Sequence, residues 1–286
     1  MRVVASGFGL VESPRWHDGR LWFSDWTAGE IRRLGDDGSS EVAVRHESLP
    51  LCFDFQPDGT MLVVSSAQRK LLRLTGDGEL VEHADLEPLS RGGANDIVVD
   101  GRGNAYVNSH DAPMGTMAAD GEKATGRVYL VPAVGQPRLV ADDLDFPNGM
   151  AITADNATLI VAESYRHRLT AFAIGPDGDL GERRVFAALP ERCPPDGISI
   201  DAEGAVWVAD VPNQSCFRFA EGGALLEEHV LDRGAFACVL GGQDGNVLYA
   251  VGSQWPGMQD LADFRDWDGT VWSTPVTSAR AGWPGN

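Results

Sequence analysis

The chain has 286 residues, 43% of them hydrophobic, and sets 23 Lys and Arg against 42 Asp and Glu for a formal net charge of −19 at pH 7. That balance argues against nucleic acid or anionic membrane as a partner, because both are bound through basic surface. No apolar run approaches the ~18 residues of a membrane span, and no Pro- or Ser-rich linker divides the chain, so a single domain over 1–286 is expected.

In chain order the same unit recurs six times. Glu12 opens the first (ESPRWHDG), followed by an apolar strand, Leu21-Trp22-Phe23, and a half-buried alternating strand, Glu30-Ile31-Arg32-Arg33-Leu34. Leu51 opens the second (LCFDFQPDG), with Met61-Leu62-Val63-Val64 and Leu71-Leu72-Arg73-Leu74 behind it. Asn95 opens the third (NDIVVDGRG), then Ala105-Tyr106-Val107 and Gly126-Arg127-Val128-Tyr129-Leu130. Asn148 opens the fourth (NGMAITADN) before Leu159-Ile160-Val161-Ala162, Asp196 the fifth (DGISIDAEG) before Val206-Trp207-Val208, and Ala237 the sixth (ACVLGGQDG) before Val247-Leu248-Tyr249-Ala250. Apolar strands separated by Asp-Gly or similar turns are hairpins. The openers lie 39, 44, 53, 48 and 41 residues apart. That period predicts an all-β fold, a six-bladed β-propeller, with a β-sandwich as the weaker alternative.

In a propeller the first strand of each blade lines the central channel, so the openers Glu12, Leu51, Asn95, Asn148, Asp196 and Ala237 are predicted to form a ring. Asn or Asp before Gly often serves only to make a turn, but here the turn already stands at the other end of each frame. Two carboxylates and two amides shielded from water call for a compensating cation, and oxygen donors favour a hard divalent ion in a central-channel metal site. Ca²⁺ is the first expectation, with Mg²⁺, Mn²⁺ and Zn²⁺ as alternatives. The metal set is Glu12, Asn95, Asn148 and Asp196.

An ordered series of motifs also resembles the senescence marker protein/gluconolactonase family, which includes regucalcin, and more distantly diisopropylfluorophosphatase. It comprises Val11-Glu12-Ser13-Pro14 with Trp16, Leu21-Trp22-Phe23-Ser24-Asp25, Asn95-Asp96, Phe146-Pro147-Asn148-Gly149-Met150-Ala151, and Pro195-Asp196-Gly197 running to Val206-Trp207-Val208-Ala209. Ala237-Cys238-Val239-Leu240-Gly241-Gly242 and Gly282-Trp283-Pro284 complete it. The resemblance implies one catalytic divalent metal held by a Glu, one or two Asn and an Asp, which match the same four residues. In some relatives the first Asn contacts substrate or reaches the metal through water, so Asn95 is also a candidate substrate-binding residue. Sugar-lactonase relatives often carry an Arg two residues before that Asn; Gly93 stands there, with Arg91 nearby as a substitute grip on substrate, and an aldonolactone substrate is thereby put in doubt.

The implied reaction is metal-dependent hydrolysis of a lactone, with Asp196 as general base and Glu12 as its rival. A phosphotriesterase or general esterase on the same site, and a non-enzymatic calcium-binding propeller scaffold, are the alternatives. No GxSxG, GxxxxGK[ST] or HExxH motif competes. Cys52, Cys193, Cys216 and Cys238 show no CxxC spacing and are expected to be buried thiols, Cys52 and Cys238 near the channel wall. With no apolar secretory segment in MRVVASGFGLVESP, a cytoplasmic location is expected. Of the scattered histidines, His17 and His83 are expected on surface turns or strands and His110 at the channel mouth. The long stretch 108–126, with Met114 and Met117, and the stretch 255–267 are expected to overhang one face, the former as a mobile excursion or a substrate-selecting lid with an adaptable apolar wall.

Overall fold

A computed structural model of the chain describes residues 1–35, 37–90, 92–111, 125–255 and 267–283. Arg91, Met114 and Met117 therefore lie outside the described residues, as does most of each of the two long stretches. Among the described residues, 24 strands form six four-stranded antiparallel sheets. The chain is a six-bladed β-propeller.

The innermost strands are Val11–His17, Leu51–Phe55, Ala94–Val99, Pro147–Ile152, Ile198–Ile200 and Gly234–Gly241. Each begins a blade and packs beside the innermost strand of the next blade, round the full circle. The residue that closes each sequence frame sits in left-handed backbone: Gly19, Gly59, Gly103, Gly204 and Gly245 at φ between 72° and 84°, and Asn156 at φ 59°. Glycine reaches this region without a Cβ clash and Asn tolerates it, which is why these residues recur at one register. Where the turn begins with Asp, the carboxylate caps it: Asp100 Oδ1 accepts from Arg102 N at 2.8 Å, and Asp201 Oδ1 from Glu203 N at 2.9 Å.

Alternation along the strands sends apolar side chains to both faces of each blade, because both faces are covered by neighbours. Six apolar clusters result, one at each junction between blades. Phe23, Phe53, Tyr106, Trp207 and Phe219 are fully buried within them, and burying side chains of this size contributes about 1.5–3 kcal/mol each. A seventh cluster of Leu10, Val211, Phe236 and Trp267, flanked by Trp26 and Trp255, lies against the channel opening.

One element was not foreseen from the sequence. Arg2–Phe8 forms the outermost strand of the sixth blade, pairing antiparallel with Gly269–Pro275 from Arg2 opposite Ser273 to Phe8 opposite Gly269. The ring is closed by strand pairing between the two ends of the described chain. A seven-residue segment whose partner lies more than 260 residues away carries no local pattern that reveals it.

Candidate active site

The channel-facing residues are presented by irregularities at the start of the inner strands. The ladder shifts between Glu12 and Arg15, between Ala94 and Ile97, and between Pro147 and Met150. A bulge leaves a residue out of the ladder and turns its side chain away from the pleat. Asn95 and Asn148 lie inside such shifts, and Ser13, next to Glu12, takes φ 53°. Asp196 precedes the inner strand of the fifth blade; its N–H donates to Ala209 O at 2.9 Å and its carbonyl accepts from Gly149 N at 3.2 Å. Gly149 and Gly197 permit this close approach, since a Cβ on Gly149 would stand 2.5 Å from Ile198 N and one on Gly197 2.7 Å from Ala237 Cα.

Glu12, Asn95, Asn148 and Asp196 are brought together at one cavity of about 240 Å³. Glu12, Asn95 and Asn148 also border a narrower void of about 10 Å³, with Cys52 and Cys238 in its wall; that is room for about one water-sized sphere. Asn95 Nδ2 lies 3.5 Å from Asn148 Oδ1, and Asn148 Nδ2 donates to Ser164 Oγ at 3.4 Å. Ser164 in turn donates to Pro195 O at 2.6 Å, which ties the fourth blade to the residue before Asp196.

The electrostatics of the site are lopsided. Burial pushes the Glu12 carboxyl up to about 8, helped by the charge of Asp96 and opposed by the Ser13 N–H, which donates to Glu12 Oε2 at 2.5 Å, and by Arg15. Burial also pushes Asp196 well above the usual carboxylate range, reinforced by Glu12, while the Asn148 amide donates to it and pulls the other way. Arg15 is engaged elsewhere, 3.5 Å from Asp54 Oδ1 and 3.3 Å from Asp96 Oδ1. Among the described residues no Lys or Arg forms an ion pair with Glu12 or Asp196. Nor do three His, Cys, Asp or Glu cluster as ligands among them; the donor set is two acids and two amides. Two acids both raised by burial, Asp196 further by Glu12, facing one cavity with two amides suit a divalent cation.

Below the ring lies a supporting network. Asp96 Oδ1 meets Arg15 and its Oδ2 accepts from Met150 N at 3.2 Å. Asn108 Oδ1 accepts from Asp96 N at 2.9 Å, and Asn108 Nδ2 donates to Asn148 O at 2.5 Å. The residues bearing Asn95 and Asn148 are thus held by one chain of hydrogen bonds. Sequence reasoning passed over Arg15 and gave Asp96 no role; the available signal was a charged residue inside an otherwise apolar inner strand, which also marks Asp54.

The predicted ring needs correction at one of its openers. Leu51 is fully buried in the junction between the first two blades, and Cys52 borders the void instead. The second blade pairs its inner strand in unbroken register from Leu51 to Phe55, so no bulge turns the first residue toward the channel. Ala237 borders the void together with Cys238 but offers no donor. Gly93 presents no side chain, and a Cβ there would stand 2.5 Å from Ser66 Oγ. His110 is buried rather than exposed at a mouth, its ring 4.1 Å from that of Phe146 and both nitrogens without a hydrogen-bond partner among the described residues; burial lowers it to about 4. All four cysteines are free and buried.

The sequence profile of the SMP-30/Gluconolactonase/LRE-like region matches residues 10–253, covering every one of the site residues above. The chain belongs to this family. A 6-deoxy-6-sulfogluconolactonase of Pseudomonas putida is 26% identical over 284 residues, covering 96% of this chain and 94% of that protein. A pentonolactonase of Haloferax volcanii is 26% identical over 255 residues, covering 87% of this chain and 84% of that one. The fold is similar to that of regucalcin from Agrobacterium tumefaciens, described as a calcium-binding protein, at a TM-score of 0.77 and 21% identity over 98% of this chain and 94% of that chain.

Proposed function

We propose that this family member is a divalent-cation-dependent lactonase, hydrolysing the cyclic ester of a small-molecule substrate. The observation that carries the reading is the meeting of Glu12, Asn95, Asn148 and Asp196 at one cavity, with both acids raised by burial and Asp196 raised further by Glu12. Lactonase names among the relatives and a calcium-binding neighbour support it. Glu12, Asn95, Asn148 and Asp196 would hold the cation through oxygen, Ca²⁺ first among the candidates. When bound, such an ion supplies Lewis acidity at the ester carbonyl, favours the ionised form of the two acids and lowers the pKa of nearby water.

The chain's own residues divide the remaining work. Glu12 borders both the void and the wider cavity and is held by Ser13 N, which fits a ligand. Asp196 borders the wider cavity and is partly exposed, which fits the general base. Its carboxylate takes a proton from water as the water oxygen bonds to the acyl carbon. The ring acyl C–O bond then breaks, and the proton passes to the departing ring oxygen, leaving a hydroxy acid. Asn95, turned toward Asn148, would orient the substrate carbonyl; Arg91 lies outside the described residues and keeps its candidate role as a substrate contact.

The test is chelation followed by addition of Ca²⁺, Mg²⁺, Mn²⁺ or Zn²⁺ singly, with a panel of lactones, linear esters and phosphotriesters. Cation-restored opening of lactones above the other esters supports the reading. Turnover confined to phosphotriesters transfers the site to that chemistry, and no turnover by folded protein returns the chain to a calcium-binding scaffold.

A further inference from the structure

The cavity divides into a polar floor and an apolar wall, and both come from the same loops. Two residues before Glu12, Asn148 and Asp196 stand Leu10, Phe146 and Pro194, and all three border the cavity. Two residues before Asn95 stands Gly93, which presents nothing. Trp26, Phe236 and Trp255 extend the wall, the last two in edge contact at 5.7 Å between ring centroids. Among the described residues bordering this cavity there is no Lys, Arg or His.

Wall and floor are rigidly joined. Phe236 O accepts from Gly197 N at 2.8 Å, beside Asp196, and Phe146 O accepts from Ser164 N at 3.1 Å, beside the Asn148 partner Ser164. Phe146 itself is clamped between His110 and Tyr165, with ring centroids 4.1 and 4.8 Å away. Ring hydroxyls of a sugar lactone set against Leu10, Phe146 and Phe236 would lose water and find no partner on those side chains. An alkyl or aryl substituent would lose only apolar surface from water, which is favourable.

Resting on the lactonase reading, we infer that the preferred substrates are lactones bearing an apolar alkyl or aryl substituent, not polyhydroxylated aldonolactones. The ester sits on the floor of Glu12, Asn95, Asn148 and Asp196, and the substituent packs against Leu10, Phe146, Phe236 and Trp255.

The experiment compares kcat/KM of the full chain in Ca²⁺ for δ-valerolactone, δ-octalactone, δ-decalactone and glucono-δ-lactone, each divided by its spontaneous hydrolysis rate. The expected series rises from δ-valerolactone with alkyl length, up to about fourfold for each methylene that reaches the wall, and leaves glucono-δ-lactone at least about tenfold below δ-octalactone. Tyr165→Ser, at a partly exposed position, and Trp255→Ser should each lower the ratio of δ-octalactone to δ-valerolactone. A flat alkyl series, or a preference for glucono-δ-lactone, overturns the apolar assignment while leaving the lactonase reading intact. Failure to open any lactone with any cation overturns both.

Discussion

Glu12→Gln should flatten the way the cation-free protein responds to pH. In the folded chain the Glu12 carboxyl stands at about 8 against an ordinary 4.5, chiefly through burial. The folded state therefore keeps a proton that the unfolded chain releases. Stability from this group is fully present below about pH 4.5 and is lost as pH rises to about 8. At about 1.36 kcal/mol per pH unit the loss is about 3 kcal/mol between pH 5 and pH 7, and about 5 kcal/mol over the whole window as a ceiling. Against a typical total of roughly 5–15 kcal/mol, this is large. Asp196 is displaced in the same direction and contributes its own slope, which E12Q reduces but does not remove, because Glu12 is one cause of that displacement.

Urea unfolding in chelator, at steps from near pH 5 to near pH 9, measures the difference directly. The parent midpoint should fall across this range and that of E12Q should fall less. Saturating Ca²⁺ should restore the parent most at the alkaline end, where both acids are ready to ligate, and restore E12Q far less. Parallel pH curves for the two proteins, or equal stabilisation of both by Ca²⁺, would refute the argument that these acids form a cation site.

Asp196→Asn keeps the shape of the side chain and removes the base, and should lower kcat on any lactone by about 10²–10⁴-fold; a variant retaining more than about a tenth of the parent rate would take Asp196 out of that role. Arg15→Met strands Asp54, buried, and Asp96, half-buried, and should destabilise the protein by about 3–5 kcal/mol, seen as a lower urea midpoint. Gly149→Ala must displace Ile198 N, 2.5 Å from the new Cβ, and should cost about 1–3 kcal/mol together with weaker Ca²⁺ binding by calorimetry, since Asn148 and Asp196 flank that contact. A Gly149→Ala protein with unchanged Ca²⁺ affinity would mean that the junction of the fourth and fifth blades does not position the ligands.

The propeller and the four floor residues were legible because each depends on a local pattern repeated six times. The left-handed closing residues, Gly19 through Gly245 with Asn156 among them, print the register directly into the chain. What escaped depends on geometry that register does not encode. Whether an opener faces the channel is decided by a bulge, present around Asn95 and Asn148 and absent at Leu51. The apolar wall escaped for another reason: Leu10, Phe146 and Phe236 read as ordinary core residues until the loops carrying them are seen to converge on one cavity. Arg15, Asp54 and Asp96 come from three different blades, so their mutual compensation exists only once the circle is formed.

The strand pairing that closes the ring sets a clock on synthesis. Of the described strands Arg2–Phe8 is made before all the others and its partner Gly269–Pro275 after them, so while the blades between are synthesised the leading strand has nowhere to dock. Blades one to five can each assemble from contiguous chain as it emerges. The sixth cannot, and it carries Phe236 and Trp255. A nascent chain thus holds most of its hairpins before it holds a finished cavity, and a bulky fusion ahead of Arg2 would burden the one seam on which completion of the active site depends.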